Sequence, residues 1–162
     1  MTTPTTLEAT DFARRSSEIE FELREVIAQR VAGNPQSIST ALKEVFERMF
    51  GETRSSRERS KFLLFVAPTM RRLTIEFGRK GHASGTINLN AMDLEQWLSR
   101  LEGFDPECAL MIDLRYFAGL TTRETAAALS VSPRVVIRDL RFAKAWLQAR
   151  VRWAGKPGAG ME

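Results

Sequence analysis

Hydrophobic residues recur at helical spacing along most of this chain. The pattern predicts a first helix over residues 17–31 and a second over residues 39–50. The apolar face of the first comprises Ile19, Leu23, Val26 and Ile27, and that of the second comprises Leu42, Val45, Phe46 and Met49. No stretch shows the sustained two-residue alternation typical of strands, so we expect an all-α fold.

The middle of the chain predicts a break between two helical domains. A third helix is expected from about Ser60, and Pro68 inside it predicts a kink or two shorter helices. The polar, Gly- and Ser-containing segment that follows is typical of a linker. We therefore expect a helical domain over residues 1–80, a linker over 81–93, a second helical domain over 94–155 and a disordered tail over 156–162.

The most informative local pattern lies in the second domain. Asp105 is expected to cap a helix that begins at Pro106 and ends near Gly119. Thr121 and Glu124 then have the spacing of a capping box, in which each side chain pairs with the other residue's backbone N–H.

A tight turn then leads into another helix. Ser130, Val131 and Ser132 form the turn, and a serine at the first of these positions costs roughly 1 kcal/mol if its backbone is left-handed. Ser132 is expected to cap the next helix, whose first position is Pro133.

The final helix separates apolar from basic residues. The apolar stripe consists of Val136, Leu140, Ala143 and Leu147. The basic face consists of Arg134, Arg138 and Arg141, with Lys144 nearby. A thin helix, a tight turn and a basic second helix together indicate a helix-turn-helix, so DNA is the expected partner.

Charge is unevenly distributed and supports nucleic-acid binding. The net charge is +4, and successive segments (1–50, 51–90, 91–130 and 131–162) carry −2, +5, −4 and +5. The two basic segments suggest two contacts with nucleic acid.

Other features exclude several classes of protein. No apolar run is long enough for a membrane span, and the first residues lack a signal-peptide core, so we expect a cytoplasmic protein. Cys108 is the single cysteine, expected to be a small buried apolar residue, and His82 is the single histidine. With no nucleophile motif, metal-ligand pair or phosphate loop, we expect no enzyme activity, no metal and no cofactor.

Residues 94–151 resemble the C-terminal domain of the extracytoplasmic-function (ECF) sigma factors. The similarity lies in LRYFAGL, in TRETAAAL, in the Ser-Pro turn and in RDLRFAKAWL. Upstream, STALKEVFERMF and SKFLLFVAPTMRRLTIEFGRK resemble the helices that dock on core RNA polymerase and melt the promoter. The resemblance implies that the partners are core RNA polymerase, promoter DNA and an anti-sigma or other regulatory protein.

The resemblance also implies site residues. On the helix-turn-helix, the residues expected to bind DNA are Thr121, Thr122, Arg123, Ser132, Arg134, Val135, Arg138, Arg141 and Lys144. On the promoter-melting helix they are Arg71, Arg72, Arg79 and Lys80. Residues expected to bind polymerase are Glu44, Phe46 and Arg48.

Two alternatives to a sigma factor remain open. The chain has the features of a stand-alone helix-turn-helix regulator, for which a dimer would read a palindromic site. Val135 and Ile137, where the resembling family often has polar or basic residues, also suit a sigma-like decoy or adaptor that binds another protein.

Overall fold

The computed structural model describes residues 7–31, 37–81 and 89–154, and over these ranges the fold is all-α. The first four helices are α1 (Ala9–Arg14), α2 (Ser16–Val31), α3 (Ile38–Phe50) and α4 (Ser56–Gly81). The next four are α5 (Leu89–Phe104), α6 (Pro106–Ile112), α7 (Thr122–Leu129) and α8 (Pro133–Ala154). A π-helical turn, Asp113–Phe117, follows α6. The predicted tail, 156–162, lies outside the described residues.

Helix α1 was not predicted, because six residues are too few to show a hydrophobic period. The Asp11 carboxylate accepts a hydrogen bond from the backbone N–H of Glu8 at 2.8 Å. Phe12 is buried and packs edge-on against Phe62 of α4, with the ring centroids 5.8 Å apart. This contact fixes α1 on the core.

Helix α4 is continuous through Pro68, so the prediction of two shorter helices is wrong. A proline inside a helix removes one hydrogen bond and costs about 3 kcal/mol. On either side of it, however, Val66, Ala67, Met70 and Leu73 are fully buried. Burial of each larger side chain contributes about 1.5–3 kcal/mol, which offsets the cost of the proline.

The start of α4 is tied to the N-terminal segment by a buried carboxylate. Glu58 accepts hydrogen bonds from the backbone N–H of Leu7 at 3.0 Å and from that of Ser55 at 2.9 Å. The hydroxyl of Ser55 in turn accepts from the N–H of Glu58 at 3.2 Å. The two backbone hydrogen bonds lower the pKa of Glu58.

Helix α5 begins earlier than predicted, at Leu89, so residues 89–93 of the predicted linker are helical. Helix α5 then continues to Phe104. Residues 82–88 lie outside the described residues.

The helix predicted to run from Pro106 to Gly119 changes its hydrogen-bonding pattern at Asp113. Asp105 caps α6 as predicted, accepting from the backbone N–H of Cys108 at 3.1 Å. The N–H of Ala118 then donates to the carbonyl of Asp113 at 2.9 Å, a five-residue spacing. Gly119 has a φ of +74°, where a glycine is favoured, and ends this segment.

The core has two clusters that meet between the halves of the chain. The first is built mainly by α1–α4, but it also contains Leu114, Ala118, Leu120 and Ala128. The second is built by α5–α8. Phe117 and Leu129 are partly buried and pack against both clusters. The two predicted domains therefore share a hydrophobic contact.

None of the helices in the described ranges is long and apolar enough to cross a membrane.

Candidate nucleic-acid interface

Helix α7 is held at its start by the predicted capping box. The hydroxyl of Thr121 accepts from the backbone N–H of Glu124 at 3.1 Å, and the Glu124 carboxylate accepts from the N–H of Thr121 at 3.2 Å. Thr125, fully buried, donates its hydroxyl hydrogen to the carbonyl of Thr121 at 2.8 Å. These bonds fix the first turn of α7 against the body of the protein.

The turn lies at the predicted residues. Ser130 is left-handed, with φ 56° and ψ 42°. The N–H of Val131 donates to the carbonyl of Ala126 at 3.0 Å, which satisfies the end of α7. The hydroxyl of Ser132 accepts from the N–H of Val135 at 3.3 Å, so Ser132 caps α8 as predicted.

The apolar stripe of α8 packs against the second core cluster. Val136, Leu140 and Ala143 are buried, and Leu147 is partly buried. Cys108 of α6 is buried as predicted, and its thiol donates to the carbonyl of Asp139 at 3.3 Å. Burial, followed by the nearby carboxylates of Asp105 and Asp139, raises the pKa of Cys108 to about 11, so the thiol stays protonated at neutral pH.

The opposite face of α8 presents a row of basic side chains. Arg134, Arg138 and Arg141 are exposed and share this face. Arg138 donates to the carboxylate of its neighbour Asp139 at 3.0 Å. Exposed ion pairs of this kind contribute only about 0–1 kcal/mol, so releasing Arg138 to a ligand costs little.

Lys144 lies at the flank of this row, beside an aromatic ring. Its ammonium is 5.1 Å from the centroid of Tyr116, and the guanidinium of Arg115 is 5.8 Å from the same centroid. Both cations are therefore within reach of a cation–π interaction with the Tyr116 ring.

Three large apolar side chains are also exposed on or beside the basic row. Ile137 is 46% exposed and Phe142 is 49% exposed, while Tyr116 is partly accessible beside Lys144. Val135, which the resemblance placed at the DNA, is instead half-buried and packs against the second core cluster. The sequence pattern did not single out Phe142 or Tyr116. Each could have been noticed as a large apolar residue that lies outside the predicted buried stripe.

The start of α7 is less suited to a phosphate than expected. Thr121 and Arg123 are exposed and Thr122 is half-buried, but the Glu124 carboxylate already lies at this helix end. Burial acts to raise the pKa of Glu124. Hydrogen bonds from the backbone N–H and hydroxyl of Thr121, together with the Lys43 ammonium, have a larger opposite effect, so the net pKa is lowered. A phosphate bound here would meet this negative charge.

The basic residues predicted on α4 are divided. Arg71 has a side chain only 11% exposed and forms ion pairs with Asp113 at 3.2 Å and Glu102 at 2.9 Å. Arg72 is exposed and lies 3.6 Å from Glu20. Arg79 and Lys80 belong to α4, but their side chains lie outside the described part of the chain.

The residues predicted to bind polymerase lie on α3, two at the surface and one inside. Glu44 is exposed, and Arg48 forms an ion pair with Glu22 of α2. Phe46 is only 1% exposed and its ring centroid lies 5.1 Å from that of Phe62. Phe46 therefore packs in the core and does not lie at the surface. Leu42 and Val45 are on the same buried face of α3, at helical spacing.

Within the described ranges, no group of three or more His, Cys, Asp and Glu side chains is placed to hold a metal ion.

Comparison with known proteins gives one match. The model of the ECF sigma factor family matches residues 86–153, a span that includes all of α7 and the turn that follows it. Searches of curated proteins and of solved structures found no significant match. The match covers the helix-turn-helix whose geometry is described above, so this region of the chain is similar to the ECF sigma factor family.

Proposed function

We propose that this protein is a sigma-like transcription factor that binds duplex DNA through α7 and α8 and core RNA polymerase through its N-terminal helices. The observation that carries the proposal is the family match over residues 86–153, which coincides with a capped helix-turn-helix. ECF sigma factors act in transcription and are not enzymes.

The exposed face of α8 fits the major groove. Arg134 and Arg138 lie one helical turn apart, about 6 Å along the axis, near the end of the helix that enters the groove. A guanidinium can donate two hydrogen bonds to a guanine edge, so either arginine is suited to read a base. Arg141 and Lys144, farther along the helix, are suited to hold phosphates.

The proposed polymerase contact uses the outer faces of α2 and α3. Glu44 and Arg48 line a groove between these helices together with the exposed ring of Phe21. The groove has a volume of about 430 Å³ and combines charged and apolar groups, as protein interfaces do.

A second candidate is a stand-alone regulator that binds DNA without polymerase. It is favoured by the contrast between the two basic surfaces: the row on α8 is exposed, whereas Arg71 on α4 is largely buried in ion pairs. A dimer bound to a palindromic site, with two half-sites one helical turn apart, would support this function.

Binding to polymerase separates the two candidates. The purified protein is mixed with core RNA polymerase that lacks any sigma factor, and the complex is sought by size-exclusion chromatography. Co-elution supports the sigma-like function. If the folded protein elutes alone but still binds duplex DNA, the sigma-like function is wrong and the stand-alone regulator remains.

Duplex binding is tested by substitution on α8. After a preferred sequence has been selected from a random duplex pool, Arg138→Ala should weaken specific binding by about 1–3 kcal/mol if Arg138 reads a base. Arg14→Ala is a matched control, because it removes one positive charge from an exposed side chain of α1 and leaves α8 intact. Equal affinities for the two variants would remove Arg138 from the interface.

A further inference from the structure

The exposed face of α8 carries an apolar side chain among its arginines. Ile137 is 46% exposed. The exposed Arg134 and Arg141 lie three residues before it and four residues after it, and residues at these spacings are neighbours on a helix surface. Along the helix axis, Ile137 is displaced by about 4.5 Å from Arg134 and by about 6 Å from Arg141. The isoleucine therefore interrupts a basic stripe.

The apolar β-branched residue that this face presents is Ile137, not Val135. Val135 is half-buried and packs against the second core cluster, so its methyl groups are engaged inside the protein. A β-branched side chain on a helix has one strongly preferred χ1 rotamer. Ile137 is thus already oriented before a ligand binds, and it loses little rotamer freedom when it is covered.

The chemistry of base edges decides what Ile137 can contact in a major groove. Its side chain offers no hydrogen bond, so a base donor or acceptor that it covers loses water without receiving a new partner. Guanine, adenine and cytosine present nitrogen and oxygen groups at this edge, whereas thymine also presents an apolar 5-methyl group. Contact between that methyl group and Ile137 removes apolar surface from water on both sides. Ile137 is therefore better suited to thymine than to the other three bases.

The flanking arginines supply what an isolated apolar residue lacks. A single exposed apolar side chain is common on protein surfaces and by itself indicates no ligand. Arg134, Arg138 and Arg141 are exposed on the same helix, and guanidinium groups attract the DNA backbone and donate to guanine edges. An apolar protein surface placed on Ile137 would have to cover these charges without pairing them, which is costly. The face therefore favours DNA.

We propose that Ile137 determines sequence specificity by packing on the 5-methyl group of a thymine next to the base that Arg134 or Arg138 reads. The inference rests on the proposed function, since it assumes that α8 enters the major groove. Base pairs are stacked about 3.4 Å apart, so axial steps of about 4.5 and 6 Å place this thymine within about two base pairs of an arginine contact. The expected ligand is a duplex with thymine at that distance from a guanine.

Removal of one methyl group from the DNA tests this contact. A preferred duplex is selected from a random pool, and each thymine is then replaced singly by deoxyuridine, which lacks the 5-methyl group but keeps the hydrogen-bonding groups of thymine. Dissociation constants for the protein alone are measured at one salt concentration by fluorescence anisotropy. We expect deoxyuridine at one position to weaken wild-type binding about fourfold, the effect of losing one buried methyl group.

Ile137→Ala removes the protein side of the same contact. It should weaken binding to the selected duplex at least about fourfold, and deoxyuridine at that position should then cause no further loss. Phe142→Ala is the matched control, because Phe142 is 49% exposed but lies about 140° from Ile137 around the helix. This control should keep the full deoxyuridine effect at that position. Circular dichroism verifies that both variants are folded.

The outcomes distinguish this inference from the proposed function. If no deoxyuridine position weakens wild-type binding, or if Ile137→Ala keeps the full deoxyuridine effect, the thymine contact is wrong. A selected site without thymine within two base pairs of a guanine also overturns it. In each of these cases specific duplex binding remains, so the proposed function stands. If the folded wild-type protein selects no duplex, the proposed DNA binding is wrong and the thymine contact falls with it.

Selection repeated with Ile137→Ala provides a second measurement. The preference for thymine at the one position should fall at least about threefold, while the bases preferred at the other positions stay the same. Weaker binding with unchanged base preferences would show that Ile137 only supports the helix, and it would overturn the proposal.

Discussion

The buried carboxylate of Asp113 should make the stability of this protein depend on pH in an unusual direction. Asp113 faces Arg71 of α4 and Glu102 of α5. Burial raises its pKa, the Arg71 cation lowers it and the Glu102 carboxylate raises it further, so that the pKa is about 7 instead of 3.8. The folded protein therefore binds a proton at this site more tightly than the unfolded chain does.

The sign of the effect follows from this difference. The stabilising contribution of the proton is fully present below pH 3.8, the unfolded pKa, and is lost as the pH rises through about 7. Two-state linkage with these pKa values gives a loss of about 3 kcal/mol in the free energy of unfolding between pH 5 and pH 8. Most buried carboxylates in ion pairs show the reverse, because their pKa is lowered.

The assay compares wild type with Asp113→Asn, which cannot ionise but keeps an oxygen that can accept from Arg71. Urea unfolding is followed by far-UV circular dichroism at several values between pH 5 and pH 8. The difference between the two unfolding free energies should change by about 3 kcal/mol over that range, with wild type losing stability relative to the variant as the pH rises. Titrating groups that do not interact with Asp113 are common to both proteins and cancel.

Asp139→Asn serves as a control, because it removes a carboxylate from an α8 position that is more exposed than Asp113. If wild type and Asp113→Asn gave parallel stability curves, the carboxylate would be ionised in the folded protein throughout the range. The reasoning from desolvation would then be refuted.

Three further substitutions test the packing and the turns. Glu58→Ala should lower the free energy of unfolding by about 2 kcal/mol, measured by urea unfolding, because the N–H groups of Leu7 and Ser55 lose their acceptor; a change within error would show that water replaces the carboxylate. Phe62→Ala should cost about 3–5 kcal/mol in the same assay, since the ring is buried among other phenylalanines, and a much smaller cost would mean that the core collapses around the cavity. Ser130→Gly should raise the melting temperature, with a gain of about 0.5–1 kcal/mol, because glycine relieves the left-handed backbone; a lower melting temperature would contradict that account.

The local structure of the helix-turn-helix was predicted from the sequence, because its determinants are local. A capping box needs only Thr121 and Glu124 at the right spacing, and Pro133 after Ser132 marks a helix start without any distant contact. The family match later covered the same residues.

The elements that the sequence misjudged depend on distant contacts. Pro68 predicted a break in α4, but the buried residues beside it stabilise a continuous helix against several neighbours. The π-helical turn replaces the end of a predicted α-helix at the point where Asp113 meets Arg71 and the chain packs on α4. Neither partner is visible within a sequence window.

The candidate site shows the same division. Periodicity alone placed Arg134, Arg138 and Arg141 on a face opposite the buried stripe, and these side chains are exposed. It could not show that Arg71 is enclosed by two carboxylates, one 31 and the other 42 residues away.

By itself the sequence determined the helices, their caps and which side of α8 carries the positive charge, since these depend on residues within a few positions of one another. Only the tertiary structure decided how the two halves meet and therefore which basic side chains are exposed. That decision depends on packing and ion pairs between residues far apart in the chain. Their contribution becomes favourable only when both halves are folded and in contact.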